Sequence, residues 1–247
     1  AAAVVPVFSY YMVRQSAPGA TMGEVEGVRA NLANPQTMRA VFEDLDLFFQ
    51  RAHAAGGLVV LHFEPDLWGF IQQAAGGDDA AAAGLPDTAA GLAQALLRLR
   101  DQRAPNVLVA YHLSPWGTGI DPVHSDPDDD ELQALAARSA SFYASLGAAF
   151  DLAFNALSDR DAAFKQYIYG DGGASWWDEG DFARHAFYLR SFVTATRLRV
   201  VLWQIPEGNT KMRSVNNTWN HFQDNKVEWF LGDEGFLRLR AHVEAGV

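Results

Sequence analysis

Leu58-Val59-Val60-Leu61-His62-Phe63-Glu64-Pro65-Asp66-Leu67-Trp68-Gly69 is the stretch on which the reading of this chain turns. Its first six residues are apolar but for one histidine and do not alternate, the pattern of a strand covered on both faces. The run ends in Glu64-Pro65-Asp66, and Trp68 follows. A buried strand thus delivers a carboxylate to its own C-terminal end. If the strand belongs to a parallel barrel, that end is the mouth where reactive groups gather.

Four more runs have the same character: Val4 to Tyr11, Val107 to His112, Phe150 to Phe154 and Arg199 to Gln204. Helical patterns of period 3.6 lie between them. Met38, Val41, Phe42, Leu45, Phe48 and Phe49 form one apolar face, behind an Asn34 cap and Pro35 at the first position. Leu92, Ala95, Leu96 and Leu99 form a second behind Asp87; Leu132, Leu135, Phe142, Tyr143 and Leu146 form a third. Phe182, Ala186, Leu189 and Phe192 form a fourth, opened by Asp178. Strands alternating with helices predict an α/β fold with a parallel sheet and right-handed crossovers. Strand starts recur about every 44 to 54 residues, so eight units would need roughly 390 residues, against about 250 for a compact barrel. The 247 residues therefore read as one domain, residues 1–247, forming a partial or trimmed (β/α)8 TIM-like barrel that lacks some strands. An open doubly wound sheet is the alternative.

A net charge of −11 argues against a nucleic-acid partner, whose phosphates such a surface repels. Asp126-Pro127-Asp128-Asp129-Asp130-Glu131 reads as a helix cap rather than a metal site. The absence of Cys excludes disulfides and thiolate chemistry. No stretch is long and apolar enough to span a membrane, and no signal peptide is visible. Aromatic residues are abundant, with seven Trp and seven Tyr, and indole rings stack on sugar faces.

Polar residues gather just past each strand-like run: Ser9, Tyr10, Tyr11, Arg14 and Gln15; His62, Glu64, Asp66 and Trp68; His112, Ser114, Trp116 and Asp121; Asn155, Ser158, Asp159, Arg160 and Asp161; Trp203, Gln204, Glu207 and Asn209. A structural framework has no reason to repeat this at one end. Glu64 is the leading general acid, because the apolar strand before it desolvates the carboxyl and raises its pKa; the bland alternative is a Glu satisfied by a neighbouring Arg or His. Asp66 supports it or caps the next helix. Cleavage of a glycosidic bond needs a second carboxylate, and Asp159 or Asp161 supplies it unless Ser158-Asp159-Arg160-Asp161 is merely a charged turn; Glu207 ranks below them. His62 and His112 are placed either to position sugar hydroxyls or to shift carboxylate pKa values. With Glu64 they also suggest zinc, but no HxH or HExxH spacing occurs, so no metal and no cofactor is expected. Tyr11, Trp68, Trp116, Trp176, Trp203 and Trp219 would stack on substrate, and Gln204 and Asn209 would hydrogen-bond it. The loop from Tyr169 to Asp178 has glycines but does not follow a strand, which disfavours nucleotide binding. The segment from Asn216 to Asn225 has an amide- and aromatic-rich, sugar-like composition.

At Leu61-His62-Phe63-Glu64-Pro65-Asp66 the chain resembles glycoside hydrolases of the (β/α)8-barrel type. The resemblance is to clan-A enzymes, which carry an acid/base Glu at a strand end, and to cellobiohydrolase-type cellulases, which have a strand ending in Glu-Pro-Asp. Gly170 to Asp178 and Trp203 to Thr210 look similar to an uncharacterised group of secreted bacterial barrel proteins. The resemblance implies a secreted glycosidase acting on a β-linked polysaccharide or oligosaccharide, with Glu64 as acid. One departure stands out: Trp203-Gln204 offers no nucleophilic acid where clan A has one, which shifts the expectation toward an inverting pair with carboxyls roughly 6.5–9.5 Å apart. A non-catalytic carbohydrate-binding barrel and a metal-dependent hydrolase are the alternatives.

Overall fold

The computed structural model describes residues 4–76, 89–212 and 220–247. In chain order the elements are β1 (Val7–Tyr10), α1 (Met12–Gln15), α2 (Glu24–Leu32), α3 (Pro35–Ala55), β2 (Val59–Phe63), α4 (Leu67–Ala74), α5 (Ala89–Arg103) and β3 (Val107–His112). There follow α6 (Asp129–Ser145), β4 (Leu152–Ala156), α7 (Ala162–Phe164), α8 (Glu179–Thr196), β5 (Val200–Trp203), α9 (Lys226–Leu231) and α10 (Leu237–Glu244). All five strand-like runs form strands. β1 starts at Val7, not Val4; Pro6 before it lends only its carbonyl, which accepts from Val60 N–H at 2.9 Å. This is an α/β fold with a five-stranded parallel sheet in the order β1-β2-β3-β4-β5, and among the described residues the sheet does not close. Nor, among those residues, is any helix long and apolar enough to cross a membrane.

Contact density divides the chain into two compact units, Ala1–Gly119 with Arg138–Phe154 and Ile120–Ala137 with Asn155–Val247. In the first, register pairs Ser9 with His62, His62 with Ala110, and His112 with Phe154. Strand period two then places Ser9, His62, Ala110, His112 and Phe154 on one face, and Tyr10, Phe63 and Tyr111 on the other. The second face is an aromatic core: Tyr10 stacks on Phe63 at 5.8 Å, and Trp68 meets Tyr111 at 5.9 Å and Phe150 at 5.8 Å. Burying each such ring stabilises the fold by about 1.5–3 kcal/mol. In the second unit Val123, Leu157, Trp177, Phe182 and Phe230 form the core, with Trp229 stacked on Phe182 at 3.8 Å.

At the N-terminal ends of β3 and β4 one carboxylate sets the register. Asp151 Oδ2 accepts from Arg100 at 2.5 Å and from Val109 N–H at 2.8 Å, while the same Arg100 nitrogen donates to Val107 C=O at 2.7 Å. Helix starts follow the sequence signals. Asp178 and Asp181 form a reciprocal capping box at α8, and Asp128 accepts from Glu131 N–H at 2.9 Å, so the acidic run does cap α6. Asp87 lies outside the described residues. Asn34 Oδ1 accepts from Gln36 and Thr37 N–H at 3.0 and 3.1 Å. Asn34→Ala is therefore expected to cost about 1 kcal/mol, read as a lower urea midpoint with an unchanged m-value; an unchanged midpoint would remove the cap from the stability of α3.

Candidate functional site

Glu64 ends β2 in a left-handed backbone conformation, φ 46°, and Asp66 follows at φ 72°. Non-glycine residues hold such angles only where their surroundings enforce them, and these positions cluster at functional sites. The surroundings here are specific. Glu64 N–H donates to Tyr10 C=O at 2.8 Å, and its carboxyl turns back under α1, accepting from Val13 N–H at 2.5 Å and Arg14 N–H at 3.3 Å. The carboxyl thus satisfies the orphan donors of a four-residue helix whose own N-cap, Tyr11, provides none. Glu64 is fully buried. Its partners are backbone amides, not the Arg or His that a satisfied barrel-rim Glu would be expected to have. Burial pushes its carboxyl up to about 8, against the pull of the two N–H donors.

On the neighbouring row, His62 Nε2 lies 2.9 Å from His112 Nδ1, the rings stacked at 5.0 Å. Burial pushes His62 down to about 3, and burial with the neighbouring His62 lowers His112 well below the ordinary range. The two imidazoles address each other rather than a common point with Glu64, and among the described residues no group of three His, Asp or Glu could hold a metal ion.

Trp68 does not take its expected stacking role, and Asp66 does not cap the next helix. Trp68 is fully buried between Phe63, Tyr111 and Phe150, so its indole presents no face to a sugar. Its position in the first turn of an apolar helix is the signal for core that outweighs the proximity to Glu64. Asp66 occupies the N-cap position of α4 but makes no side-chain cap bond, because φ 72° turns it away from the helix amides. Trp116 is half-buried and packs on Phe70 at 5.0 Å. Tyr11 is half-buried beside α1.

The second unit carries an open cleft of about 410 Å³ at the ends of β4 and β5. Its lining includes Asp159, Asp161, Phe164, Gln204, Glu207 and His221. Gln204 again has a left-handed backbone, φ 50°, and its carbonyl accepts from Ser158 N–H at 3.3 Å. Asp161 is buried and both oxygens are engaged, accepting from Gly208 N–H at 3.1 Å and Phe222 N–H at 2.9 Å. Asp161 therefore fixes the two cleft loops and is a positioning residue. Gly208 must be glycine: a methyl there would stand 1.8 Å from the Phe222 carbonyl oxygen. Asp159 is half-exposed and paired with Lys165 at 3.1 Å, as in the charged-turn alternative, with Arg160 donating to the Asp159 carbonyl at 2.6 Å. His221 bridges Asp161 at 3.5 Å and Glu207 at 3.3 Å. It was not singled out from sequence, because it lies in a loop without periodicity.

Trp203 and Asn209 are half-buried, and Asn209 Oδ1 accepts from Lys211 N–H at 3.0 Å. Trp176 is half-buried, donating to Gln166 Oε1 at 2.8 Å, and its glycine loop folds around Asp171, which accepts from Gly173 and Ser175 N–H at 2.8 and 3.2 Å. Trp219 and the rest of residues 213–219 lie outside the described residues.

Comparison with protein-family models, curated proteins and solved structures gave no match. The reading of the site rests on its geometry.

The shifted groups predict a pH optimum of stability. Between the ordinary Glu value of 4.5 and about 8, the folded chain keeps a proton on Glu64 that the unfolded chain has released. Stability therefore falls as pH rises through that window. Between about 3 and the ordinary 6.5, the unfolded chain protonates His62 and His185 while the folded chain does not, so stability rises with pH there. Tm is expected to climb to about pH 6 and decline above it. Glu64→Gln should remove the decline between pH 6.5 and 8 and leave the acid limb; an alkaline limb as steep as the wild type's would mean that Glu64 is ionised in the fold throughout.

Proposed function

We propose that this chain is a glycosidase built on part of a (β/α)8 barrel, acting on a β-linked polysaccharide or oligosaccharide. The observation that carries the reading is Glu64: a fully buried carboxyl at a strand's C-terminal end, on strained backbone, which burial pushes up to about 8. A neutral carboxylic acid is what protonation of a glycosidic oxygen requires. The carboxyl lies under the first turn of α1, so proton donation requires that turn to lift. α1 is only four residues long, but lifting it also breaks the Asn31 Nδ2 bond to Val13 C=O at 2.7 Å and exposes the buried Val13 side chain. The cleft at β4 and β5 supports the same reading with Asp159, Glu207 and Gln204 as groups for sugar hydroxyls or water. A role in polysaccharide breakdown agrees with an extracellular location.

Reducing-sugar release over a panel of polysaccharides tests the activity. Amide exchange at Val13 and Arg14 tests access, since a cleaved oligosaccharide should speed it. A second reading, a carbohydrate-binding protein without catalysis, is favoured by the commitment of both Glu64 oxygens to backbone amides. It predicts sugar affinity, no release on any member of the panel, and unchanged exchange at Val13 and Arg14.

A further inference from the structure

Ser9 and His62 are register partners on β1 and β2, and His112 lies on the same face of β3, two residues beyond Ala110, the partner of His62. The two imidazoles are buried, whereas Ser9 is exposed. Ser9 Oγ is 3.3 Å from His62 Nδ1, His62 Nε2 is 2.9 Å from His112 Nδ1, and His112 Nε2 is 4.0 Å from Asp66 Oδ1. One placement of protons serves all three contacts. The Ser9 hydroxyl donates to His62 Nδ1, His62 Nε2–H donates to His112 Nδ1, and His112 Nε2–H faces the Asp66 carboxylate. The His62 ring plane is fixed by Phe154, stacked at 4.3 Å and 15°. Hydroxyl, base and orienting group in hydrogen-bond series is the arrangement that activates a nucleophile, and it is recognised by geometry rather than by sequence order.

The strand supplies two further features. Pro6 and Tyr10 turn their carbonyls toward β2, accepting from Val60 and Glu64 N–H. By strand alternation Ser9 turns its own N–H away from β2, to the sheet edge, where it can meet an oxyanion formed at its side chain. Val7, two residues back on the same face, is 51% exposed and offers apolar surface for an acyl group.

We propose that Ser9 is a nucleophile toward small carboxylic esters, with His62 as its general base and His112 as the positioning residue that holds the His62 tautomer. Ser9 Oγ bonds to the ester carbonyl carbon as its proton passes to His62 Nδ1. The C–O bond to the alcohol then breaks, and the alcohol leaves with that proton. Water, deprotonated by the same nitrogen, attacks the acyl-serine, releasing the carboxylic acid and regenerating the hydroxyl. The inference does not depend on glycosidase activity at Glu64.

A fluorophosphonate probe followed by peptide mapping tests it on the full chain, with p-nitrophenyl acetate hydrolysis in parallel. The expected result is phosphonylation of Ser9 with release of fluoride, lost in Ser9→Ala. His62→Gln should slow labelling by no more than about 10²-fold, the low end of the general-base range, because burial pushes His62 down to about 3 and weakens it as a base. His112→Gln, which can still accept from His62, should retain more of the rate than His112→Leu; equal losses in the two would remove the positioning role. Ser9→Ala changes an exposed side chain, so the test stands even if the buried histidine variants fail to fold. No label at Ser9, or ester hydrolysis unchanged in Ser9→Ala, overturns the proposal.

Discussion

Glu64→Gln is expected to lower turnover on a natural polysaccharide by about 10²–10⁴-fold, the contribution of a positioned general acid. An amide cannot give the leaving oxygen a proton. Aryl glycosides with good leaving groups barely need one and should lose least. The amide oxygen can still accept one of the two α1 amides that Glu64 now holds, at 2.5 and 3.3 Å, so circular dichroism should show the wild-type fold. Asp159→Asn and Asp161→Asn separate the other candidates. Asp159 is paired at the surface with Lys165, and its loss should leave Tm unchanged. Asp161 holds Gly208 and Phe222, so its loss should lower Tm as well as activity. Wild-type turnover of Glu64→Gln on an unactivated polysaccharide would end the assignment.

The largest stability effect is expected at Lys226→Met, about 3–5 kcal/mol. Lys226 and Asp224 are both fully buried, 3.4 Å apart. The ammonium also donates to Ser175 C=O at 2.8 Å and lies 5.0 Å from the Trp177 ring. Asp224 accepts from Ala162 and Lys226 N–H, each at 2.7 Å. Removing the cation strands a carboxylate in the interior, and that uncompensated charge sets the size of the loss. Adding Asp224→Asn to Lys226→Met should recover a large part of it, because the amide oxygen can keep one backbone donor without the charge. A urea midpoint of Lys226→Met within 0.5 kcal/mol of wild type, a margin typical of surface changes, would mean that water reaches the pair.

The strands were legible as continuous apolar runs in a strand–helix alternation: Val59 to Phe63 is buried throughout and Val107 to His112 all but Leu108, whereas β1, from a run of the same character, is exposed at Val7, Phe8 and Ser9. Caps were legible too, since Asn34 and Asp178 act locally. The site was legible only in its location. Glu64 could be found because it ends a strand, but that its carboxyl turns back beneath Val13 and Arg14 depends on a chain reversal that no periodicity encodes. Trp68 was misread because its helix is apolar around most of its girth, and a short apolar helix next to a carboxylate looks the same whether its indole faces core or solvent. Asp161 and His221 are brought together across 60 residues of chain by loops, the part of a fold least constrained by pattern. The pairing of Asp224 with Lys226 needs only a spacing of two, but its burial comes from Trp177 and Ser175, far along the chain.

The Asp151 bracket at the starting ends of β3 and β4 has a consequence for how this fold can change over time. Arg100 and Val109 N–H fix strand alignment from below, while Glu64 and Gln204 occupy the opposite, strained ends of β2 and β5. The bracket at the starting ends of β3 and β4 therefore uses none of the candidate site residues. The loops after the strands can change in length or composition without disturbing that bracket. Mutational tolerance should accordingly be low around Asp151 and Arg100, where a change shifts the ladder, and low again at Asp161 and Gly208, which tie together the loops after β4 and β5.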